Sequence, residues 1–391
     1  MARAGGYHVG INAHLLSSAA SYRSAGVSNY SRHLLTALGQ MVVEGSTPHR
    51  FTAFLHATDF EPFGIEIQRG SIALEKPAYR IAWEQGILPG ALRRIQADVV
   101  HGLVNVLPLT TQRAGVVTVH DLSFLRLPEL FPPFKRAYLT ALCRASVARA
   151  KQIVAVSRQT ADDLANVWGV DETRILVAPN GVDRRFTPGR PAEETAFRAV
   201  HALPSRYWLY LGTLEPRKNL PVLLAAFAQW RQQASPADQA VHLVIAGGKG
   251  WYYETIFAQV AALGLTGVVH FPGFIPDHEL PDWYRAAEFF VYPSRYEGFG
   301  LPVIEAMACG TPVICSNAPG VREVAGDAAI QLPAGDVEAW SAAFAMAATQ
   351  PALRLTMRAA VLERAQQFTW ENAAKITIEA YERAGAKTQE I

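Results

Sequence analysis

Cysteine is scarce in this sequence, and no two cysteines form a C-x-x-C motif. The three that occur, Cys143, Cys309 and Cys315, stand in apolar contexts. Cysteines in such contexts are typically small buried side chains, in proteins whose thiols stay reduced. The usage predicts a reduced, cytoplasmic protein without a disulfide framework.

Long apolar runs and a strong charge imbalance are also absent. No window reaches the ~20 uncharged apolar residues that span a bilayer, and residues 1–8 lack the apolar core of a signal peptide. The formal net charge is only +2, which gives no support for a nucleic-acid partner. We therefore expect neither a membrane span nor a complex with nucleic acid.

The composition and the length of the chain indicate a folded protein with two domains. Half of the 391 residues are hydrophobic and 18% are charged, and the length exceeds that of one ordinary core. Two series of apolar strands, one of them including a short strand at 72–74, alternate with helices, which predicts doubly wound parallel sheets of the α/β class. We expect Rossmann-like domains over 1–183 and 206–369, a linker rich in Pro, Gly and charge over 184–205, and a C-terminal helix over 370–391.

The most informative stretch runs from residue 289 to residue 315. An apolar strand leads into a loop with Gly298 and Gly300, and a helix follows. Glu297 and Glu305 have seven residues between them and lie at the carboxyl edge of the predicted sheet, where ligands bind and a helix N-terminus favours phosphate. A plain strand–helix–strand unit with two surface glutamates is the alternative interpretation.

Two adjacent cations, Arg217 and Lys218, lie where the first strand of the second series runs into a helix. At that place a guanidinium fork and an ammonium point charge can neutralise a departing diphosphate. A solvated charge cluster at a turn is the alternative. The glycine-rich segment 246–250 also resembles a phosphate loop, but it lacks the spacing of the known motifs.

Two features of the first half could also belong to a site. His120 and Asp121 end an apolar strand, where polar residues face a ligand cleft, although a structural histidine is equally compatible with the pattern. Gly26 precedes a helix predicted from Asn29 and would let a ligand approach the backbone closely. The alternative for Gly26 is an ordinary loop glycine.

A helix predicted over 135–151 is rich in basic residues. It is interpreted either as a core helix with a solvated basic face or as a patch that contacts anionic phospholipid or a phosphate-bearing acceptor. Its cations include Lys135, Arg136, Arg144 and Arg149.

Together these motifs resemble those of the retaining glycosyltransferases of family 4, almost from end to end. The resemblance implies the GT-B fold, in which two Rossmann-like domains face a cleft and the C-terminal helix crosses back to the first domain. The markers are Gly26, 119–121, 156–157, 179–182, 212–219 and 297–305.

The resemblance also implies an activity. A hexose would pass with retention from a nucleotide-sugar to a glycan or lipid-linked acceptor without a metal or other cofactor; the sequence contains no D-x-D pair. For a cytoplasmic enzyme at the inner face of a membrane, the basic helix over 135–151 is the only support. Segments 119–124 and 126–129 look like those of bacterial mannosyl- and rhamnosyltransferases of surface polysaccharides, so GDP-mannose is the first donor to consider. Transfer from UDP-glucose, a nucleotide-sugar epimerase and a sugar-binding protein are the alternatives.

By the family pattern, the second domain would hold the donor. Arg217 and Lys218 would bind the diphosphate, Glu297 would lie by the donor sugar, and Glu305 would accept hydrogen bonds from the ribose hydroxyls. Three backbone N–H groups would face sugar hydroxyls or phosphate, those of Phe299, Gly300 and Leu301.

The first domain would contribute two residues. Gly26 would approach the diphosphate, and His120 would touch the sugar near its 6-hydroxyl. The chain departs from the pattern at Ala25, where many relatives have glycine, and at Thr213, where many have arginine. Diphosphate binding would therefore rest on Arg217 and Lys218.

Overall fold

The computed structural model describes residues 5–16, 25–56, 60–70, 77–250 and 253–386. The chain divides into two compact units, one formed by 1–181 with 369–391 and the other by 182–368. The strand predicted at 72–74 lies outside the described residues.

The first unit contains a parallel seven-stranded sheet in the order β3-β2-β1-β4-β5-β6-β7. Its strands are β1 (His8–Asn12), β2 (Arg50–His56), β3 (Glu66–Gly70), β4 (Val99–Gly102), β5 (Ala114–Val119), β6 (Gln152–Ala155) and β7 (Ile175–Val177). Its helices up to β7 are α1 (Ala25–Val43), α2 (Pro77–Ala82), α3 (Leu88–Arg94), α4 (Ser123–Arg126), α5 (Pro133–Arg149) and α6 (Arg158–Trp168).

The central strands of this sheet are apolar because helices cover both of their faces. β4 and β5 are almost wholly buried, as their valine-rich sequences predict. The edge strand β3 is different: its sequence EIQRG is largely polar and exposed, so no apolar pattern predicts it.

The second unit contains a parallel six-stranded sheet in the order β10-β9-β8-β11-β12-β13. Its strands are β8 (Arg206–Leu211), β9 (Val241–Ala246), β10 (Val269–Gly273), β11 (Phe289–Tyr292), β12 (Val313–Ser316) and β13 (Ile330–Leu332). Its helices are α7 (Pro191–Val200), α8 (Leu220–Gln233), α9 (Glu254–Ala262), α10 (Leu280–Ala286), α11 (Leu301–Ala308), α12 (Pro319–Ala325), α13 (Val337–Thr349) and α14 (Pro351–Ala365).

The last helix, α15 (Trp370–Gly385), belongs to the first unit and packs against α1, β5 and β6. Tyr381 on this helix places its hydroxyl 2.7 Å from Nδ1 of His101, which is fully buried at the end of β4. Among the helices that the structure describes, none has both the length and the apolarity of a membrane span.

Two local predictions need correction. Residues 184–205 are not simply a linker, since α7 forms there and packs on α10 within the second unit. Pro191 begins this helix and Glu193 bonds back to Arg190, so helix-start signals outweigh the Pro- and Gly-rich composition. Gly26 does not precede its helix either, because α1 begins at Ala25 and Gly26 lies in its first turn, exposed.

Candidate active site

The polar side chains of the second unit gather where the order of its strands reverses. β8 lies between β9 and β11, so the connections that leave β8 and β11 diverge at the carboxyl edge of the sheet, where parallel sheets bind ligands. After β8 a short 3₁₀ turn, 216–218, carries Arg217 and Lys218. After β11 the loop 293–300 carries Glu297. The structure therefore brings these three predicted residues together.

Glu297 is the centre of this cluster and accepts hydrogen bonds from four side chains. Its Oε1 atom accepts from Lys218 Nζ at 2.7 Å, from the Tyr292 hydroxyl at 3.0 Å and from the Ser294 hydroxyl. Its Oε2 atom accepts from Arg217 Nη1 at 2.7 Å. Glu297 and Lys218 are each only 7% exposed. We refer to Arg217, Lys218 and Glu297 as the cation–glutamate cluster.

The charges in this cluster keep Glu297 ionised. Burial alone would raise the pKa of this carboxyl, but the adjacent Arg217 and Lys218 outweigh burial and lower the pKa to about 2. The carboxylate therefore stays negative at neutral pH and holds both cations in place.

Backbone contacts fix the two loops to each other. Arg295 N donates to the carbonyl of Arg217 at 2.9 Å. Asn219 adopts the left-handed conformation with φ 59° and caps α8, while its amide donates to the carbonyls of Pro293 and Ala334 at 3.1 and 2.6 Å. These bonds hold the arginine and the lysine beside the glutamate loop.

The start of α11 offers unused backbone donors at the same edge. Gly300 is its N-cap residue and has φ 114°, which favours glycine. The N–H groups of Phe299, Gly300 and Leu301 donate no hydrogen bond within the part of the chain that the structure describes. Groups of this kind at a helix N-terminus suit an anion or a hydroxyl oxygen.

Glu305 lies on α11 and makes no hydrogen bond or ion pair with Arg217, Lys218 or Glu297. It is 9% exposed and accepts a hydrogen bond from the Tyr284 hydroxyl at 2.9 Å. Burial raises its pKa to about 7, although this hydrogen bond and the charge of Arg185 oppose the rise. Glu305 therefore keeps its proton to a higher pH than an exposed glutamate does.

The glycines of segment 246–250 have a packing role. A Cβ atom on Gly247 would lie 2.0 Å from the carbonyl oxygen of Gly212, and one on Gly250 would lie 2.6 Å from that of Leu214. Leu214 and Gly250 are also joined by a backbone hydrogen bond of 3.1 Å. These glycines let two loops meet closely, which accounts for the resemblance to a phosphate loop.

In the first unit, His120 follows β5 and is fixed by its surroundings. Its Nε2 atom donates to the carbonyl of Leu103 at 2.8 Å, its backbone N–H donates to Asn105 Oδ1 at 3.0 Å, and Tyr30 meets its ring edge-on. Burial lowers its pKa. Because a carbonyl can only accept, the neutral ring carries its proton on Nε2, and Nδ1 is left as an acceptor.

A polar cluster that the sequence did not indicate lies where the strand order of the first sheet reverses, beside β1. Asn12 donates to Glu84 Oε1 at 3.1 Å, and Nδ1 of His14 lies 2.6 Å from Asn12 Oδ1. Burial lowers the pKa of His14 to about 3 and raises that of Glu84 to about 7. Glu84 stands in a π-helical turn, 83–87, a conformation common at functional sites.

The partners of the predicted residues in the second unit were missed as well. No sequence motif singles out Tyr292, Ser294 or Tyr284. The one available signal was their position beside the predicted acids, because the strand that precedes Glu297 ends in Tyr292. Among the described residues, no group of three or more His, Cys, Asp or Glu side chains is placed to hold a metal ion.

The basic helix, α5, presents only part of the predicted patch. Arg136 and Arg144 are exposed, and Lys135 is half-buried with Nζ 5.9 Å from the centre of the Phe131 ring. Arg149 differs, since its guanidinium donates to the carbonyls of Thr111 and Arg113. Arg149 therefore serves the packing of α5 and does not belong to the patch.

Two doubly wound parallel sheets, each with a polar cluster at its carboxyl edge, are the components of the GT-B fold of glycosyltransferases. The family model "Glycosyl transferases group 1" matches residues 192–366, and "Glycosyltransferase Family 4" matches residues 24–186. The chain belongs to glycosyltransferase family 4, and the protein is a glycosyltransferase.

Curated relatives agree with this assignment. The O-antigen chain mannosyltransferase B of Escherichia coli is 36% identical over 294 residues, which cover 74% of this chain and 76% of that protein. A D-inositol 3-phosphate glycosyltransferase of Kribbella flavida is 35% identical over 246 residues, which cover 61% of this chain and 58% of that protein.

Solved structures share the fold at low identity. The sucrose-phosphate synthase of Thermosynechococcus elongatus superposes with a TM-score of 0.78 at 23% identity and covers 96% of this chain and 98% of that one. HepE of Anabaena, solved in complex with UDP and glucose, superposes with a TM-score of 0.72 at 18% identity. The match covers 96% of this chain and 99% of that one.

Proposed function

We propose that this enzyme is a retaining, metal-independent hexosyltransferase that uses a nucleotide-sugar, with GDP-mannose as the first donor to test and a glycan or lipid-linked acceptor. The observation that carries the proposal is the cation–glutamate cluster at the carboxyl edge of the second sheet. The similarity to a mannosyltransferase supports mannose as the sugar, and UDP-glucose is the second candidate donor.

In the proposed reaction, Arg217 and Lys218 bind the diphosphate. The bond from the anomeric carbon to the diphosphate oxygen breaks, and the two cations stabilise the negative charge that develops on the leaving group. The sugar becomes positively charged at the same time, and the Glu297 carboxylate stabilises it. Glu305 accepts hydrogen bonds from the ribose, the N–H groups of 299–301 bind phosphate or sugar, and neutral His120 accepts from a sugar hydroxyl through Nδ1.

We propose front-face substitution, in which the acceptor oxygen attacks the anomeric carbon from the side that the diphosphate leaves. The acceptor proton passes to a phosphate oxygen, so no separate base is needed. Glu297 is a poor nucleophile for two reasons. Its low pKa makes the carboxylate a weak base, and its four hydrogen bonds occupy both oxygens. Mass spectrometry of enzyme trapped with a slow donor would overturn this step if it found a glycosyl ester on Glu297.

The function is tested by incubating the enzyme with GDP-, UDP- and ADP-sugars and a lipid-linked glycan while free nucleotide is measured. A hexosyltransferase releases nucleotide and needs the acceptor, whereas an epimerase converts the sugar without releasing nucleotide and a binding protein does neither. NMR of the product reports retention at the anomeric carbon. Activity should be unchanged in EDTA, and a loss would contradict the metal-independent mechanism.

Donor affinity should depend on pH through Glu305. The ionised carboxylate offers both oxygens to the ribose hydroxyls, whereas the protonated carboxyl keeps only its carbonyl oxygen as a good acceptor, so donor binding favours loss of the proton that burial holds there with a pKa of about 7. Between pH 6 and pH 8 the ionised fraction rises about tenfold, so the nucleotide-sugar should bind more tightly at pH 8, by up to about tenfold. Isothermal titration with GDP-mannose or UDP-glucose measures this change, since their diphosphates do not titrate in this range.

The Glu305→Gln variant is the control for this pH dependence. It keeps an oxygen that accepts hydrogen bonds but loses the titrating proton, so its donor affinity should be flat between pH 6 and pH 8. If the variant keeps the same slope, another group titrates and the ribose assignment of Glu305 is wrong.

We propose that α5 contacts the membrane surface that carries a lipid-linked acceptor. Phe134 is 82% exposed at the start of the helix, beside exposed Arg136. The Phe134→Ala/Arg136→Ala variant should bind vesicles with anionic lipid about fivefold more weakly or worse, because each basic residue near such a surface contributes about 1 kcal/mol. Flotation measures the binding, and Arg93→Ala, which removes an exposed arginine from α3, should leave it unchanged. Equal flotation of all three proteins would refute the contact.

A further inference from the structure

A cavity of about 530 Å³ opens at the edge of the second sheet opposite the cation–glutamate cluster. Its lining includes Ser205, Glu288 and Pro312, which directly precede β8, β11 and β12 and so mark the amino edge of the parallel sheet. α7 and α14 supply other parts of the wall. Its volume lies in the range of small-molecule sites.

The charge of this cavity is positive. Among the residues that the structure describes, its ionisable lining residues are four arginines and two glutamates: Arg198, Arg285, Arg354, Arg358, Glu194 and Glu288. Glu288 is engaged by Arg206, with two hydrogen bonds of 2.8 and 3.2 Å, and its Oε1 atom lies 3.6 Å from Arg354 Nη1. An anion would therefore meet an excess of guanidinium groups.

The arginines differ in how many hydrogen bonds and ion pairs they already make within the protein. Arg285 donates to Thr187 and Asp282, and Arg198 donates to the carbonyl of Ala286 at 2.9 Å. Arg358, by contrast, makes no hydrogen bond or ion pair with any described residue, and it is half-buried against Gly310. Arg354 and Arg358 stand one turn apart on α14, where like charges repel and an anion between them would remove the repulsion.

We propose that this cavity binds a phosphorylated small molecule, with the phosphate held by Arg354 and Arg358. Guanidinium groups bind phosphate through two parallel hydrogen bonds, which suits a pair of arginines on one helix face. The cavity is larger than a phosphate needs, and Pro191, Pro312 and Leu355 give it apolar surface. The ligand class is therefore a phosphate ester with an uncharged body, such as a sugar phosphate.

Isothermal titration with glucose 6-phosphate tests the site. Wild type should bind with a Kd of about 1 mM or tighter, and glucose should not bind. The Arg354→Gln/Arg358→Gln variant should bind at least tenfold more weakly. The Arg93→Gln/Arg94→Gln variant, which removes the same charge from α3, should match wild type, and so should Lys218→Ala in the donor site.

Three results would overturn the proposal. They are absence of saturable binding by wild type at about 10 mM probe, equal binding by the Arg354→Gln/Arg358→Gln variant, and loss of binding in Lys218→Ala. The last result would place the probe in the donor site. Thermal unfolding checks that each variant is folded, and Arg358→Gln alone replaces the double variant if that protein is unstable.

Discussion

Lys218→Ala should lower kcat/KM for the nucleotide-sugar more than a hundredfold. Lys218 is 7% exposed, and its ammonium lies 2.7 Å from both Glu297 Oε1 and the Tyr292 hydroxyl, so its position is fixed before the donor binds. Loss of one fixed charge that stabilises a leaving group costs about 2.7–4 kcal/mol of transition-state stabilisation, which is a hundredfold or more. Within the cation–glutamate cluster, only Arg217 would remain to compensate.

Nucleotide release and thermal unfolding should be measured together for this variant. Glu297 keeps its hydrogen bonds from Arg217, Tyr292 and Ser294, so the carboxylate stays paired and the protein stays folded. Lys249→Ala is the matched control, because this lysine of the second unit is exposed. The activity of the Lys249→Ala enzyme should change less than about twofold, as for most surface substitutions. Retained activity in Lys218→Ala would show that the lysine does not hold the diphosphate.

Much of the second unit follows from local sequence signals. Apolar runs end at Leu211 and Tyr292, and Gly300 and Pro302 mark the start of a helix, so two strand–loop–helix units could be predicted with their polar residues at one sheet edge. That Glu297 lies between Arg217 and Lys218 could not be predicted. It depends on β8 pairing with β11, which joins segments about eighty residues apart.

Other features could not be predicted from the spacing of apolar residues, because other interactions form them. β3 is held by backbone pairing with β2 at the sheet edge and needs no apolar side chains. Glu84 meets Asn12 across seventy-two residues through a π-helical turn that no sequence pattern specifies. α7 does carry local signals in Pro191 and Glu193, and these helix-start residues outweigh the Pro- and Gly-rich composition of the segment.

Glu297→Gln should reduce both stability and activity strongly. The substitution keeps the shape of the side chain but leaves the buried Lys218 without its ion-pair partner. Arg217 loses one of its two carboxylate partners and keeps the other, Glu215, at 3.0 Å. Breaking a buried ion pair typically costs 3–5 kcal/mol. The depressed pKa gives a similar figure, since a fall from 4.5 to about 2 corresponds to about 3 kcal/mol for a carboxyl that is 7% exposed. Activity should fall at least a hundredfold, because the sugar loses its carboxylate and the Lys218 ammonium loses the carboxylate that fixes its position.

The pH dependence of unfolding separates this electrostatic role from simple packing. Because the folded-state pKa is lower than the unfolded-state value, the stabilisation by Glu297 is fully present above pH 4.5 and is lost as the pH falls toward 2. Denaturant unfolding of wild type should therefore lose about 3 kcal/mol more than Glu297→Gln over that interval. If both proteins lose stability in parallel, Glu297 is not held ionised by Arg217 and Lys218. A parallel loss would also remove the reason to expect those cations to be fixed in place for a diphosphate.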